Sequence, residues 1–224
     1  MLTPDVFVLI ASVVAVCGVV PGNPWLASLA AAGAGVALYR ASARTSSADT
    51  RRAILGGLAA GAVAASGDWG LASVKFLFHM RREATFAPIS FGVVGCRAVL
   101  FSALAFLYVR MRTVCPAAVA VPAVAVVGVA VGLAYEHFGV RAGLWDWNAS
   151  LMPDMQVGSA WAFVPVAWGM TCLCLWYFLM GFSRRVPLAF HPIGIGIRFG
   201  SAYLGFTMIS YALFVRVVGK VVMP

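Results

Sequence analysis

Charged side chains are scarce in this sequence. Only 10% of its 224 residues are Asp, Glu, Lys or Arg, and just 7 of them are acidic. Together with 62% hydrophobic residues, this excludes an ordinary soluble domain, in which about a quarter of the residues are charged. The sequence therefore predicts an all-α, polytopic membrane protein that forms one integral-membrane domain over residues 1–224.

Motifs that bind metals or nucleic acids are missing as well. The 5 cysteines show no C-x-x-C spacing, and the 3 histidines lack the spacing of a zinc or di-iron site. The net charge of +9 comes mostly from arginines at the ends of apolar runs. This distribution suits anionic lipid headgroups better than nucleic acid, because no basic domain lies outside the apolar runs. We predict the lipid bilayer as a partner and no metal.

Long apolar runs are abundant, and a run of roughly 17 to 25 residues is enough to cross a bilayer. Seven runs predict a bundle of seven transmembrane helices, at about residues 4–21, 24–40, 53–79, 89–109, 116–138, 159–181 and 192–217. Basic residues of short loops then predict a cytoplasmic N-terminus. On the cytoplasmic side lie Arg40, Arg44, Arg51, Arg52, Arg110, Arg112, Arg184 and Arg185.

Glycine and alanine are dense in the third and fifth runs, at residues 56–61 and 128–132. Small side chains let transmembrane helices approach one another closely. A phosphate-binding loop is not indicated, because no glycine-rich phosphate signature follows a strand here. These residues therefore predict helix packing.

Glu136 is the acid around which the rest of the chain can be organised. It follows twenty uncharged residues, 116–135, so its side chain is expected in or at the edge of hydrocarbon, where an ionised carboxylate is costly. A neutral carboxylic acid is tolerated there and has a proton to give. Aromatic rings that can face a cation surround it in the sequence; these are Tyr135, Phe138, Trp145 and Trp147. An alternative is a structural carboxylate paired with Arg141 or hydrogen-bonded to His137.

Other charged residues predict a shared site with Glu136. Asp68, near the middle of the third run, and Arg97, about two turns into the fourth, are expected in the same half of the bilayer as Glu136. Asp146, in the loop between two tryptophans, is a further candidate acid. The alternatives are an ion pair of Asp68 with Arg97 or Lys75, and a solvated loop carboxylate at Asp146.

Further aromatic residues are candidates for binding an apolar chain and stabilising positive charge along it. They are Trp69, Phe91, Trp161, Trp168, Tyr203 and Tyr211. Trp69 and Trp168 lie deep within predicted helices, whereas tryptophans usually occupy the membrane interface. The alternative for each ring is packing in the core or against lipid.

Three segments of this sequence resemble a known group of enzymes. They read Y-E-H-F-G at residues 135–139, G-L-W-D-W at 143–147 and F-V-P-V-A-W at 163–168. In this order they resemble the small integral-membrane terpene cyclases of meroterpenoid and prenylated-indole pathways, with the related carotenoid cyclases and hydratases. The likeness extends to the bacterial drimentine-type branch, which acts on prenylated indole cyclodipeptides.

The resemblance implies a membrane enzyme without a cofactor. A carboxylic acid would protonate an alkene or epoxide of a farnesyl chain on a larger acceptor, and rings would close through carbocations. In fungal members of the group, one acid in an early span and one in the last span are implicated. Asp68 would correspond to the early acid. The second role would pass to Glu136, because residues 192–218 contain no acid. The absence of a D-D-x-x-D motif agrees with protonation rather than diphosphate loss. The expected location is the bacterial inner membrane.

Two other functions remain open from the sequence. A carotenoid-type cyclase or hydratase would use the same acid on a longer polyene. A small transporter would instead use Asp68, Arg97 and Glu136 as a proton or ion relay. The exact substrate and the oligomeric state are not fixed by these residues.

Overall fold

The computed structural model describes residues 3–73, 78–80, 85–86, 89–148, 155–180 and 191–219. At residues 24, 68–73, 78–80, 85–86, 89–90, 180, 191 and 218–219 the description covers the backbone alone. Eight α-helices lie within these ranges. They are α1 (Pro4–Val19), α2 (Pro24–Arg44), α3 (Ala48–Ser73), α4 (Phe91–Arg112), α5 (Ala117–Arg141), α6 (Phe163–Leu173), α7 (Leu175–Met180) and α8 (His191–Phe214), which continues as a π-helical turn at Val215–Gly219.

The helices follow the predicted apolar runs, with two differences. The sixth run folds as two helices, because the Cys174 N–H donates to the Thr171 carbonyl (3.1 Å) and this three-residue spacing tightens and ends α6. The third run was predicted to remain helical to about residue 79, but Phe78–Met80 forms a strand. Three of the described helices are long and apolar enough to cross a membrane: Trp25–Arg44, Phe91–Arg112 and Ala117–Arg141.

Close helix packing at the glycines of α3 is confirmed. A Cβ added at Gly57 would lie 2.4 Å from the Cα of Ser102, and one at Gly61 would lie 2.1 Å from the Cβ of Ala98. The backbones of α3 and α4 are therefore so close that no larger side chain fits between them. Because the backbones are this close, the Ser102 hydroxyl of α4 donates a hydrogen bond to the carbonyl oxygen of Ile54 in α3, at 2.8 Å.

The aromatic core lies between α4, α6 and α8. Phe101 of α4 contacts Trp168 of α6 edge-to-face and stacks on Phe199 of α8, with both pairs of ring centroids 4.8 Å apart. All three side chains are at most 1% exposed. Offset and edge-to-face contacts suit the ring quadrupoles, so these rings hold α6 and α8 against α4.

Short strands lie in the connections at one end of the helices. They are β1 (Phe78–Met80), β2 (Thr85–Phe86), β3 (Ile89–Ser90), β4 (Trp145–Trp147), β5 (Gln156–Val157) and β6 (Ala160–Trp161). β1 pairs antiparallel with β4, so that His79 lies opposite Asp146. This pairing joins the chain that follows α3 to the chain that follows α5. Within the described residues the chain is thus mostly helical, as predicted, and its strands form short two-stranded pairs in these loops.

Two contacts identify the two ends of the helices. At one end, Arg110 of α4 forms a bidentate ion pair with Asp5 of α1, with N···O distances of 2.7 and 3.0 Å. We call this the basic end; it also carries Arg44, Arg51, Arg52 and Arg112. At the opposite end, Gly22 (φ 67°) turns so close to Ala142 that a Cβ on it would lie 2.4 Å from the Ala142 carbonyl oxygen. The β1–β4 sheet follows α3 and α5 at this second end.

Candidate active site

Glu136 is buried in α5, with 3% of its surface exposed. Its two carboxyl oxygens accept hydrogen bonds from two indoles. Nε1–H of Trp145 donates to Oε2 at 3.2 Å, and Nε1–H of Trp147 donates to Oε1. We call this arrangement the indole clip. A carboxyl group in an apolar surrounding needs such partners, because an unpaired one would be strongly destabilising.

The alternation of side chains along β4 produces the indole clip. Residues i and i+2 of a strand lie on the same face, so Trp145 and Trp147 both face Glu136 while Asp146 faces the other way. Asp146 is exposed, and its carboxylate accepts the backbone N–H of Trp147 at 2.8 Å. The expectation that Asp146 acts beside Glu136 is therefore not supported, since its carboxylate points away from that residue.

Glycines on the same face of α5 make room for the rings. A Cβ at Gly139 would lie 1.8 Å from Cη2 of Trp145, and one at Gly132 would lie 2.6 Å from Cγ of Trp168. Gly132, Glu136 and Gly139 are spaced by four and three residues, which places them along one stripe of the helix. The acid thus lies between two positions where an indole packs directly on the helix backbone.

A small cavity lies beside Glu136. Its volume is about 30 Å³, which is room for one or two water molecules. The residues that line it include one carboxyl group and one guanidinium group, and most of the others are aromatic or aliphatic. They are Val93, Arg97, Tyr135, Glu136, Trp145, Trp147, Val164, Trp168, Tyr203, Leu204 and Thr207.

Arg97 brings a positive charge to the same cavity. It is 4% exposed, and its guanidinium carbon lies 5.6 Å from the centroid of the Tyr203 ring, within the range of a cation–π contact. The Tyr135 hydroxyl donates to the carbonyl of Val93 at 2.6 Å, one turn before Arg97. This bond fixes the turn of α5 that carries Glu136 to the turn of α4 that carries Arg97.

Trp168 forms the apolar wall of the cavity. It is 1% exposed, and its ring centroid lies 5.8 Å from that of Tyr135 and 5.9 Å from that of Tyr203. Within the described part of the chain, its Nε1–H has no hydrogen-bond acceptor. A donor in this position suits a ligand or water that presents an acceptor in the cavity.

His137 fixes the segment that leads into α6. Its Nδ1 accepts the backbone N–H of Ser159 at 3.1 Å, in the turn between β5 and β6. Gly158 has a φ of 64° there, and a Cβ on it would lie 2.8 Å from the same nitrogen. Because Nδ1 accepts, a neutral His137 carries its hydrogen on Nε2. The residue beside the acid thus holds the β5–β6 hairpin and, through it, the start of α6.

Seven of the residues predicted from the sequence line this cavity. They are Arg97, Tyr135, Glu136, Trp145, Trp147, Trp168 and Tyr203. Asp68 and Trp69 belong to α3, and their side chains lie outside the described residues.

Four predicted aromatic residues are not among the residues that line the cavity. Phe91, expected to bind an apolar chain, is 66% exposed at the start of α4. Trp161 is buried in the core within β6, and Phe138 packs against that core. Tyr211 contacts Phe163 at 5.5 Å between ring centroids. Trp161, Phe138 and Tyr211 thus pack against other residues of the chain, whereas Phe91 lies on its surface.

Sequence reasoning missed the aliphatic and small polar part of the lining. Val93, Val164 and Thr207 each lie four residues from a predicted ring or charge, namely Arg97, Trp168 and Tyr203. Leu204 directly follows Tyr203. Helical spacing from the predicted residues would have found the first three.

The two indoles can donate hydrogen bonds to Glu136 but cannot take a proton from it. Indole N–H groups donate and do not accept, so a proton carried by Glu136 has to be given to an acceptor other than these two indoles. Among the described residues there is no group of three or more His, Cys, Asp or Glu side chains that could hold a metal ion.

Searches of protein-family models, curated proteins and solved structures find nothing that matches this chain.

Proposed function

We propose that this chain is a multi-pass membrane terpene cyclase in which Glu136 is the general acid. The observation that carries the proposal is the buried carboxyl in the indole clip, facing a cavity with aromatic walls. A carboxyl held in this way can protonate an alkene without competition from bulk water. The substrate is a prenyl or farnesyl chain borne by a larger acceptor.

The reaction begins when the Glu136 proton is transferred to the terminal alkene, or to an epoxide oxygen in its place. On an alkene, a C–H bond forms as the π bond breaks, and positive charge remains on the more substituted carbon. The π electrons of the next alkene then close a ring, and loss of a proton to a base ends the sequence, so the alkene reaction is an isomerisation. Trp168 and Tyr135 present rings that stabilise the cation. Arg97 supplies positive charge near the carboxylate that remains.

Substrate binding requires the walls to separate, since about 30 Å³ does not accommodate a fifteen-carbon chain. Trp147 is suited to move, because it is only half-buried whereas Trp145 and Trp168 are at most 3% exposed. Its displacement would free one Glu136 oxygen at the time the alkene arrives. The proposal thus couples substrate binding to partial opening of the indole clip.

We place the protein in the membrane with seven spans and the basic end in the cytoplasm. Arginines concentrate at that end, as is typical of cytoplasmic loops. Cys115, in the half-exposed turn between α4 and α5, is a native reporter of orientation. In a Cys17→Ser background, which removes the exposed cysteine of α1, a membrane-impermeant maleimide should label Cys115 in inverted vesicles and not from the outside of intact cells. Labelling from the outside alone would reverse the orientation.

The enzymatic proposal is tested with Glu136→Gln, which keeps the shape of the side chain and removes its acid. Membranes containing the protein would be incubated with a farnesylated indole cyclodipeptide and, separately, with lycopene, followed by product analysis. We expect cyclised farnesyl product, and at least a 100-fold loss of rate in the variant, within the usual range for a general acid. Asp146→Asn, an exposed acid ten residues away in the chain, is the matched control and should retain activity. Equal rates in Glu136→Gln and the native chain would refute the role of Glu136, and a product from lycopene alone would favour the carotenoid-type activity.

A proton path through Glu136 is a second candidate, and the size of the cavity favours it. A water-sized space beside a buried acid and Arg97 is what a proton relay requires. This function predicts proton flux into liposomes that depends on Glu136, with no new product from any prenyl substrate. Cyclised product without flux would instead support the terpene cyclase.

A further inference from the structure

A second, larger cavity lies at the basic end, and none of the residues that line it belongs to the indole clip. Its volume is about 260 Å³, against about 30 Å³ for the Glu136 cavity. Its polar lining consists of Ser47, Asp49, Arg52, Tyr108, Arg112 and Thr113. We call it the basic-end cavity.

Two buried donors in this lining have no acceptor within the described ranges. One is the hydroxyl of Tyr108, whose residue is 1% exposed, and the other is Nε–H of Arg52, whose side chain is 17% exposed. Arg112 lies beside the Tyr108 hydroxyl, but a guanidinium only donates, so the phenolic hydrogen still needs an acceptor. Buried donors of this kind are rare and call for a partner.

The charge around the cavity identifies the kind of partner. Arg52 and Arg112 are positive, and the N-terminus of α3 adds the partial positive charge of its helix dipole. Asp49 opposes them: its 63% exposed carboxylate pairs with Nη1 of Arg52 at 3.1 Å. Several donors and a net positive charge suit an anion with several acceptor oxygens, and arginine is well matched to phosphate.

We propose that the basic-end cavity binds a phosphate group. The phosphate can belong to the headgroup of an anionic phospholipid or to free inorganic phosphate, since both present the same oxygens to Arg52, Tyr108 and Arg112. A headgroup fits the position, because arginine-rich ends of membrane proteins attract anionic lipid. This site is independent of the cyclase proposal and stands or falls separately from it.

The experiment measures the thermal unfolding midpoint of the full chain in a neutral detergent. Inorganic phosphate and a short-chain phosphatidylglycerol are titrated separately, against sodium chloride of equal ionic strength and a short-chain phosphatidylcholine. A ligand that binds only the folded state raises the midpoint, and the rise continues with the logarithm of the ligand concentration once this exceeds the dissociation constant. Stabilisation by both ligands indicates a general phosphate site, and stabilisation by phosphatidylglycerol alone assigns the site to a lipid headgroup.

Tyr108→Phe is the decisive variant, because it removes a hydroxyl that has no acceptor in the described part of the chain and keeps the ring. Without anion its midpoint should equal that of the native chain, while its phosphate or lipid affinity should fall roughly ten-fold or more. Tyr39→Phe, at a 65% exposed tyrosine outside the cavity, is the control and should bind normally.

Asp49→Asn should act in the opposite direction, since it removes the carboxylate that competes for Arg52. We expect a several-fold tighter affinity and a steeper rise of the midpoint with ligand. The proposal is overturned if neither ligand stabilises the native chain beyond its control. It is equally overturned if both variants respond to the anion as the native chain does.

Discussion

The indole Nε1–H of Trp145 donates to Oε2 of Glu136 across 3.2 Å, although one residue belongs to a strand and the other to a helix. The two residues are only nine positions apart, and the chain between them reverses through Gly143, whose φ is 67°. Glycine adopts such a backbone conformation without strain. A local turn therefore brings the first of the two donors back to the acid.

Trp145→Phe should weaken both folding and activity. The substitution removes the N–H donor at one Glu136 oxygen, and a buried group that loses such a partner typically costs about 1–3 kcal/mol. We expect a lower unfolding midpoint and, because the carboxylate left after proton transfer loses a donor, roughly a ten-fold slower cyclisation.

Trp176→Phe provides the control for that substitution, since Trp176 is 52% exposed on α7. It should change neither quantity. If Trp145→Phe folds with an unchanged midpoint and an unchanged rate, the hydrogen bond has no role in stability or in the reaction.

Gly139→Ala should displace the ring of Trp145. The added methyl carbon would lie 1.8 Å from Cη2 of the indole, and overpacking of this kind typically costs about 1–3 kcal/mol. Gly33→Ala is the matched control, because the space around Gly33 in α2 is open and alanine is favoured over glycine in a helix by up to about 1 kcal/mol. Thermal unfolding should show a lower midpoint for the first variant and an equal or higher one for the second. The reverse order would mean that Trp145 does not pack on α5.

Tyr135→Phe should reduce stability by about 1 kcal/mol, the usual contribution of one hydrogen bond. It removes the 2.6 Å bond from the Tyr135 hydroxyl to the Val93 carbonyl and keeps the ring that contacts Trp145 and Trp168. The cyclisation rate should fall less than in Glu136→Gln, because the variant only loosens the positioning of Arg97. Tyr177→Phe, at a 55% exposed position, serves as the comparison. A rate loss as large as that of Glu136→Gln would assign the Tyr135 hydroxyl a direct part in the reaction.

Helix positions were predictable from the sequence because each depends on local composition. An apolar run of sufficient length favours a helix whatever surrounds it, and Asn23-Pro24 marks the start of α2, where the Asn23 side chain accepts the N–H groups of Trp25 and Leu26. The strand β1 at Phe78–Met80 and its pairing with β4 were not predicted. A three-residue strand has no periodicity of its own and exists only because its partner, some sixty-seven residues away, lies beside it.

Glu136 itself was found from the sequence, because an acid that ends a run of uncharged residues is visible without a structure. The sequence also drew attention to Trp145 and Trp147, and it offered Asp146 between them as a further candidate acid. Only the strand conformation of β4 separates them, since alternation turns both indoles toward the acid and the aspartate toward the surface.

The amino-acid sequence by itself determined that this chain forms apolar helices and buries a carboxyl at residue 136, because both follow from the local balance of apolar and charged side chains. Only the tertiary structure decided which groups meet that carboxyl. Arg97, Trp168 and Tyr203 come from three other helices, and they converge on α5 because packed helix faces and short loop strands, rather than any sequence spacing, set their distances.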